Sequence, residues 1–150
     1  MTDWELFDQV AEVVRGSVPP GLGRPQLQVR HHGLKAWFGG GEPQREHYEA
    51  QIIPAELAPG ARDRALEIGF HAEHRAEPDN EAALARLLAA EAAWRPGLGG
   101  DAVTGAFLGR GGWRRVSETW NDPVLDGADV PFEIGVRLVD YMRALEPHRR

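Results

Sequence analysis

Near the N-terminus, apolar side chains return every three or four positions. Trp4, Phe7, Ala11 and Val14 make a stripe that Val10 and Val13 widen, and Thr2 with Glu5 can close a capping box, so a helix is predicted, stopped at Gly16. A connector rich in proline and glycine follows over residues 17–25. From Gln26 the period changes to two, with Leu27, Val29 and His31 on one side and Gln28, Arg30 and His32 on the other. Beyond Gly33 the apolar positions are Leu34, Ala36 and Phe38, in the opposite phase, which a bulge or short turn near His32-Gly33 explains. Residues 39–43 read as a loop.

Alternation resumes over residues 46–53, where Tyr48, Ala50 and Ile52 oppose His47, Glu49 and Gln51. It recurs over residues 65–74, with Leu66, Ile68, Phe70 and Ala72 on one face and Glu67, Gly69, His71 and Glu73 on the other. Pro78-Asp79-Asn80 opens a second helix, whose stripe is Leu84, Leu87, Leu88 and Trp94 and which Pro96-Gly97 closes. Residues 102–108 and 113–120 flank Gly109-Arg110-Gly111-Gly112, the composition of a hairpin turn. Asp129 and Pro131 begin a last helix, in which Ile134, Leu138, Tyr141 and Leu145 recur before Pro147. The order is helix, three strands, helix, two strands, helix. One apolar stripe per helix and one apolar face on the third strand imply a single α+β domain over residues 1–150. Its antiparallel sheet would have about five strands, with helices packed on one face and the other face polar and turned to water.

Composition narrows the function classes. The chain has 150 residues, 42% of them hydrophobic and 27% charged, which suits one globular domain. No apolar run approaches a membrane span and the first residues are acidic rather than basic, so a cytoplasmic location without membrane contact is expected. The absence of cysteine excludes disulfides, thiolate nucleophiles and thiolate-held metal. A net charge of −6 argues against nucleic acid as a partner. Lys35 is the only lysine, which points to a GC-rich bacterial genome and confines lysine chemistry to one position.

The polar face of the third strand is the main candidate for chemistry. Glu67, His71 and Glu73 project to one side, and His47, Glu49 and Gln51 join them if the second and third strands pair. A carboxylate beside an imidazole orients it for proton transfer, and the set could equally supply nitrogen and oxygen ligands to a metal. On a solvated face the same charges would be ordinary surface pairs. His71 and His74 stand at odd spacing, point to opposite faces of a strand and cannot share an ion. A second candidate, for binding, is the hairpin cluster of Arg110, Trp113, Arg114 and Arg115, which could hold phosphates and stack bases. No glycine-rich stretch has the spacing of a nucleotide fingerprint, and no resident metal or cofactor is expected.

From Asp3 to Pro147 the order of elements resembles that of type III secretion chaperone-like domains. That resemblance, carried by architecture alone, implies a non-enzymatic binding protein, frequently a homodimer, that holds a protein or peptide partner. The leading expectation is therefore a protein-interaction or chaperone-like domain. The competing one is a small hydrolase or metal-assisted enzyme built on the Glu67/His71/Glu73 strand face, which requires those side chains to converge in a concave pocket.

Overall fold

The computed structural model describes residues 1–41 and 44–150. Of the expected loop over residues 39–43, Glu42 and Pro43 lie outside the described residues. The chain forms an α+β domain with a six-stranded antiparallel sheet in the order β1-β2-β3-β4-β6-β5, helices covering one face. The strands are β1 Pro25–Arg30, β2 Gly33–Phe38, β3 Glu46–Pro54, β4 Arg64–Ala72, β5 Val103–Phe107 and β6 Arg110–Asn121. The helices are α1 Asp3–Ser17, α2 Glu77–Ala89, α3 Glu91–Leu98 and α4 Val130–Leu145.

The additional strand comes from the phase change at Gly33. His31 and His32 form the turn of a tight hairpin, with Arg30 opposite Gly33, so the stretch read as one interrupted strand is two paired ones. The expected second helix is likewise two pieces, broken at Ala90. The indole N–H of Trp94 in α3 donates at 2.7 Å to the Leu87 carbonyl, which also accepts from the Ala90 N–H at the break. In the β5–β6 hairpin the turn falls at Leu108-Gly109, and Arg110 already belongs to β6.

Both sides of the helix-to-sheet core follow from the sequence pattern. Leu34 and Ala36 of β2, Tyr48 and Ala50 of β3, and Leu66, Ile68 and Phe70 of β4 are buried against the helices. From α1 come Leu6, Phe7, Val10, Ala11 and Val14. This stripe is centred between Phe7 and Val10, which leaves Trp4 at its edge and 47% exposed, contrary to its expected place in the core. Leu88 is similarly 40% exposed. The Thr2–Glu5 capping box forms, with both reciprocal hydrogen bonds in place. Helices α1 and α4 cross closely at Gly135, where a Cβ would stand 2.5 Å from a Val13 methyl. Among the described residues no helix is long and apolar enough to cross a membrane.

Candidate metal centre

The β3–β4 register sets His47 opposite His71, Glu49 opposite Gly69 and Gln51 opposite Glu67. Period-two alternation turns all of these to the face without helices. That face was expected to be solvated, and over the middle of the sheet it is not. Glu67 and His71 are 0% exposed, His47 1% and Glu49 5%. Alternation dictates which side chains share a face but is silent on what lies over them.

The cover comes from the far edge of the sheet. Between the pairs Ala106–Arg114 and Phe107–Arg110 the β5–β6 register slips, leaving Gly111, Gly112 and Trp113 without partners on β5. A bulge of this kind bends a strand and re-aims its side chains. The Phe107 ring then stands edge-on to the imidazole of His71, centroids 4.6 Å apart, with the indole of Trp113 5.7 Å from Phe107. Buried Asn80 pins the bulge, donating to the carbonyls of Gly112 at 2.9 Å and His74 at 3.0 Å and accepting from the His74 N–H at 2.7 Å.

Gly69 makes the centre of the face possible. Glu67 and His71 are about 13 Å apart along the strand. They meet only because both side chains bend over the position between them. Gly69 has φ +155°, and a Cβ there would lie 2.3 Å from the Val116 carbonyl oxygen on β6. Past this position, which carries no side chain, the His71 Nε2–H donates to the Glu67 carboxylate at 2.7 and 2.9 Å, while Gln51 donates to the same carboxylate at 3.0 Å.

Four ligand-type atoms converge beside this pair. His47 Nε2 lies 3.0 Å from Glu49 Oε1 and 3.5 Å from Glu73 Oε2; His71 Nδ1 lies 3.2 Å from each of the same two oxygens. All four atoms fall within 4.8 Å of one another. Two atoms each bonded at about 2.0–2.1 Å to one tetrahedral zinc ion are about 3.3–3.4 Å apart. The four nitrogen-to-oxygen separations bracket that figure. Glu73 belongs to the set although β4 ends at Ala72, because its N–H donates to the Arg45 carbonyl at 2.8 Å and continues the ladder by one residue.

Each imidazole is held from behind. His47 Nδ1–H donates to the Gln44 carbonyl at 2.8 Å, and His71 Nε2–H donates to Glu67, so the remaining nitrogen of each ring is the one aimed at the quartet. Outward N–H groups tied to a carbonyl and a carboxylate are the usual supports of metal-binding histidines. Without an ion, the same geometry is satisfied by two imidazolium rings donating to Glu49 and Glu73. Burial disfavours charge on His71, but the Glu67 charge and the bonds to Glu49, Glu67 and Glu73 hold it well above the ordinary imidazole range. His47 is raised in the same way: burial opposes its charge, and the bonds to Glu49 and Glu73 outweigh burial. Burial pushes the Glu49 carboxyl up, yet its bonds from His47 and His71 bring it down to about 2, and Glu73 falls below the usual carboxylate range for the same reasons.

The remaining sequence candidates are dispersed. His74 leaves the quartet and bonds Glu46 at 2.7 Å, as its odd spacing from His71 requires. His31 and His32 are turn residues, and His32 reaches Asp3 at 3.1 Å. The arginines of the hairpin do not converge. Arg110 lies over the Trp113 ring at 4.6 Å, Arg114 pairs with Glu77 and Glu81 of α2, and Arg115 lies on the quartet's face with its guanidinium on Ser117 Oγ at 2.9 Å. The expectation of no resident metal rested on an exposed strand face and on the mismatch of His71 with His74. Burial of the face removes the first ground and leaves the second intact.

Three contributors escaped the sequence reading. Gly69, in the middle of an alternating strand, carried a signal, since an interior strand glycine marks close approach of another group. The Gln44 carbonyl is a backbone atom and carries none. Phe107 shares the face by alternation, two residues beyond Gly105, which pairs with Arg115 beside His71; the strand order that sets β5 and β6 next to β4 is what no spacing reveals. No family model matches the chain, and neither a curated protein nor a solved structure is significantly similar to it.

Proposed function

We propose that this is a metal-dependent domain in which His47, Glu49, His71 and Glu73 bind one divalent transition-metal ion, with Glu67 and the Gln44 carbonyl orienting the two imidazoles. The observation that carries the reading is the convergence of two nitrogens and two carboxylate oxygens at 3.0–3.5 Å, with the outward nitrogen of each ring already engaged. A set of two imidazoles and two carboxylates suits zinc and its neighbours rather than magnesium or calcium, which prefer all-oxygen shells.

Energetics favour the same reading. Buried ion clusters are seldom more stabilising than apolar packing of the same volume, so five ionisable side chains placed together need a purpose beyond holding β3 to β4. Exchange of two imidazolium protons for one divalent ion leaves the total charge of the cluster unchanged. The fold therefore accommodates both states without rearrangement of its electrostatics. With its shell expanded to a fifth position, such an ion would polarise an oxygen of a bound ligand or water, the chemistry expected of a small hydrolase or other metal-assisted enzyme.

Titration calorimetry with zinc on protein stripped by chelator tests this. One ion per chain is expected, with about two protons released at neutral pH, seen as a heat that varies with the ionisation enthalpy of the buffer. Glu49→Gln should reduce the affinity by at least about tenfold. Heats indistinguishable from dilution would sink the proposal. The protein-interaction or chaperone-like reading draws its support from element order and from the exposed Trp4, Val124 and Phe132. Light scattering that shows a concentration-independent dimer would strengthen it, and a strict monomer would weaken it.

A further inference from the structure

Beside the quartet the polar face opens into a cleft of about 240 Å³, which Glu49 and Glu73 reach from the cluster. Its two sides differ in character. Arg30 and Lys35, from β1 and β2, lie on one side of the β3–β4 pair, whereas Phe107 and Trp113, from β5 and β6, lie on the other. Lys35 stands directly across the β2–β3 ladder from Glu49. Its charge is not taken up there, because the carboxylates of Glu49 and Glu73 are engaged by the two imidazoles. Among the described residues neither Lys35 nor Arg30 makes an ion pair or a side-chain hydrogen bond.

Charge bookkeeping then identifies the ligand class. A divalent ion cancels Glu49 and Glu73, and Glu67 is occupied by His71 with the Arg115 charge nearby. The cleft is left with the two positive charges of Arg30 and Lys35 beside a metal. An anion is favoured at that end, and an apolar group at the end walled by Phe107 and Trp113. A phosphate would call for donors around three oxygens, and the aromatic wall supplies only the indole N–H of Trp113.

We infer that the cleft binds a small organic carboxylate, its acid group shared between Lys35 and a fifth coordination position of the metal ion and its apolar part set against Phe107 and Trp113. The inference rests on the metal reading, and the test separates the two. The protein is loaded with cobalt(II), whose visible absorption reports its ligands, and titrated with benzoate, acetate and inorganic phosphate. Benzoate is expected to change the spectrum saturably and to bind more tightly than acetate, which lacks the apolar part. Lys35→Gln should weaken benzoate by about tenfold or more, the effect of losing a charge-assisted hydrogen bond, with cobalt binding no weaker than in the wild type, since a positive charge beside the ion is removed. Benzoate no tighter than acetate, phosphate tighter than benzoate, or indifference to Lys35→Gln would each overturn the inference while leaving the metal site standing. Failure of the wild-type protein to bind cobalt or zinc at all would overturn both.

Discussion

Replacing Glu67 with glutamine removes a charge that touches no metal ligand atom facing the ion, yet it should weaken metal binding. The Glu67 carboxylate accepts from His71 Nε2–H through both oxygens, at 2.7 and 2.9 Å, and from Gln51 at 3.0 Å. A glutamine offers one acceptor oxygen to those donors and turns an amide N–H toward one of them. It also removes the negative charge facing Arg115, whose Nε already lacks a partner. His71 thus loses both its orientation and the polarisation that makes its other nitrogen a better donor to metal. Loss of such a support typically costs about 10–100-fold in metal affinity. That corresponds to about 1.4–2.7 kcal/mol. Calorimetry should show zinc still binding one per chain with the dissociation constant raised by that factor. Circular dichroism should remain native, because the fold's apolar core lies on the opposite face of the sheet. A dissociation constant within twofold of wild type would refute the idea that Glu67 serves the metal through His71.

Other perturbations separate the site from its surroundings. Gly69→Ala should destabilise the protein by about 2–5 kcal/mol, combining left-handed strain with overpacking against Val116, and this would appear as a marked drop in Tm. His74→Ala should leave zinc affinity unchanged, since His74 bonds Glu46 instead, and a tenfold loss would show that the quartet is assigned wrongly. Glu118, on the helix-covered face, accepts from Arg137, Trp120 and Tyr141; burial raises its carboxyl, but those bonds and the Arg137 charge outweigh burial and lower it below 4.5. A carboxyl lowered by folding contributes stability that is full above the unfolded value and lost as pH falls through the folded one. Glu118→Gln should therefore cost about 1–3 kcal/mol at pH 7, with the gap to wild type closing as the pH drops below about 4.5 in urea titrations.

Most of the fold was legible because it depends on local periodicity. The apolar positions of the strand holding Glu67, His71 and Glu73 determined its face, and the Thr2–Glu5 box and the stripe of α4 located their helices. The split of residues 26–38 into a hairpin was signalled by the phase change at Gly33, which left a bulge and a short turn as alternatives, and the turn is what forms. For the site, the spacing of His47, Glu49, His71 and Glu73 correctly placed all four on one face. Their burial was not legible, since it depends on Phe107 arriving from β5, and the strand order that brings β5 and β6 beside β4 is not set by spacing. Nor could spacing distinguish surface ion pairs from a metal centre, because that difference lies in separations of a few tenths of an ångström and in which nitrogen of each ring is already tied.

X-ray absorption at the zinc edge, on protein reconstituted with one equivalent of the metal, interrogates the quartet itself. A first shell of nitrogen and oxygen scatterers at about 2.0–2.1 Å is expected, with the outer-shell pattern of two imidazoles that becomes a single imidazole in His47→Ala. A spectrum of hydrated zinc, or one that His47→Ala leaves unaltered, would mean that these four side chains are a buried network of ion pairs and nothing more.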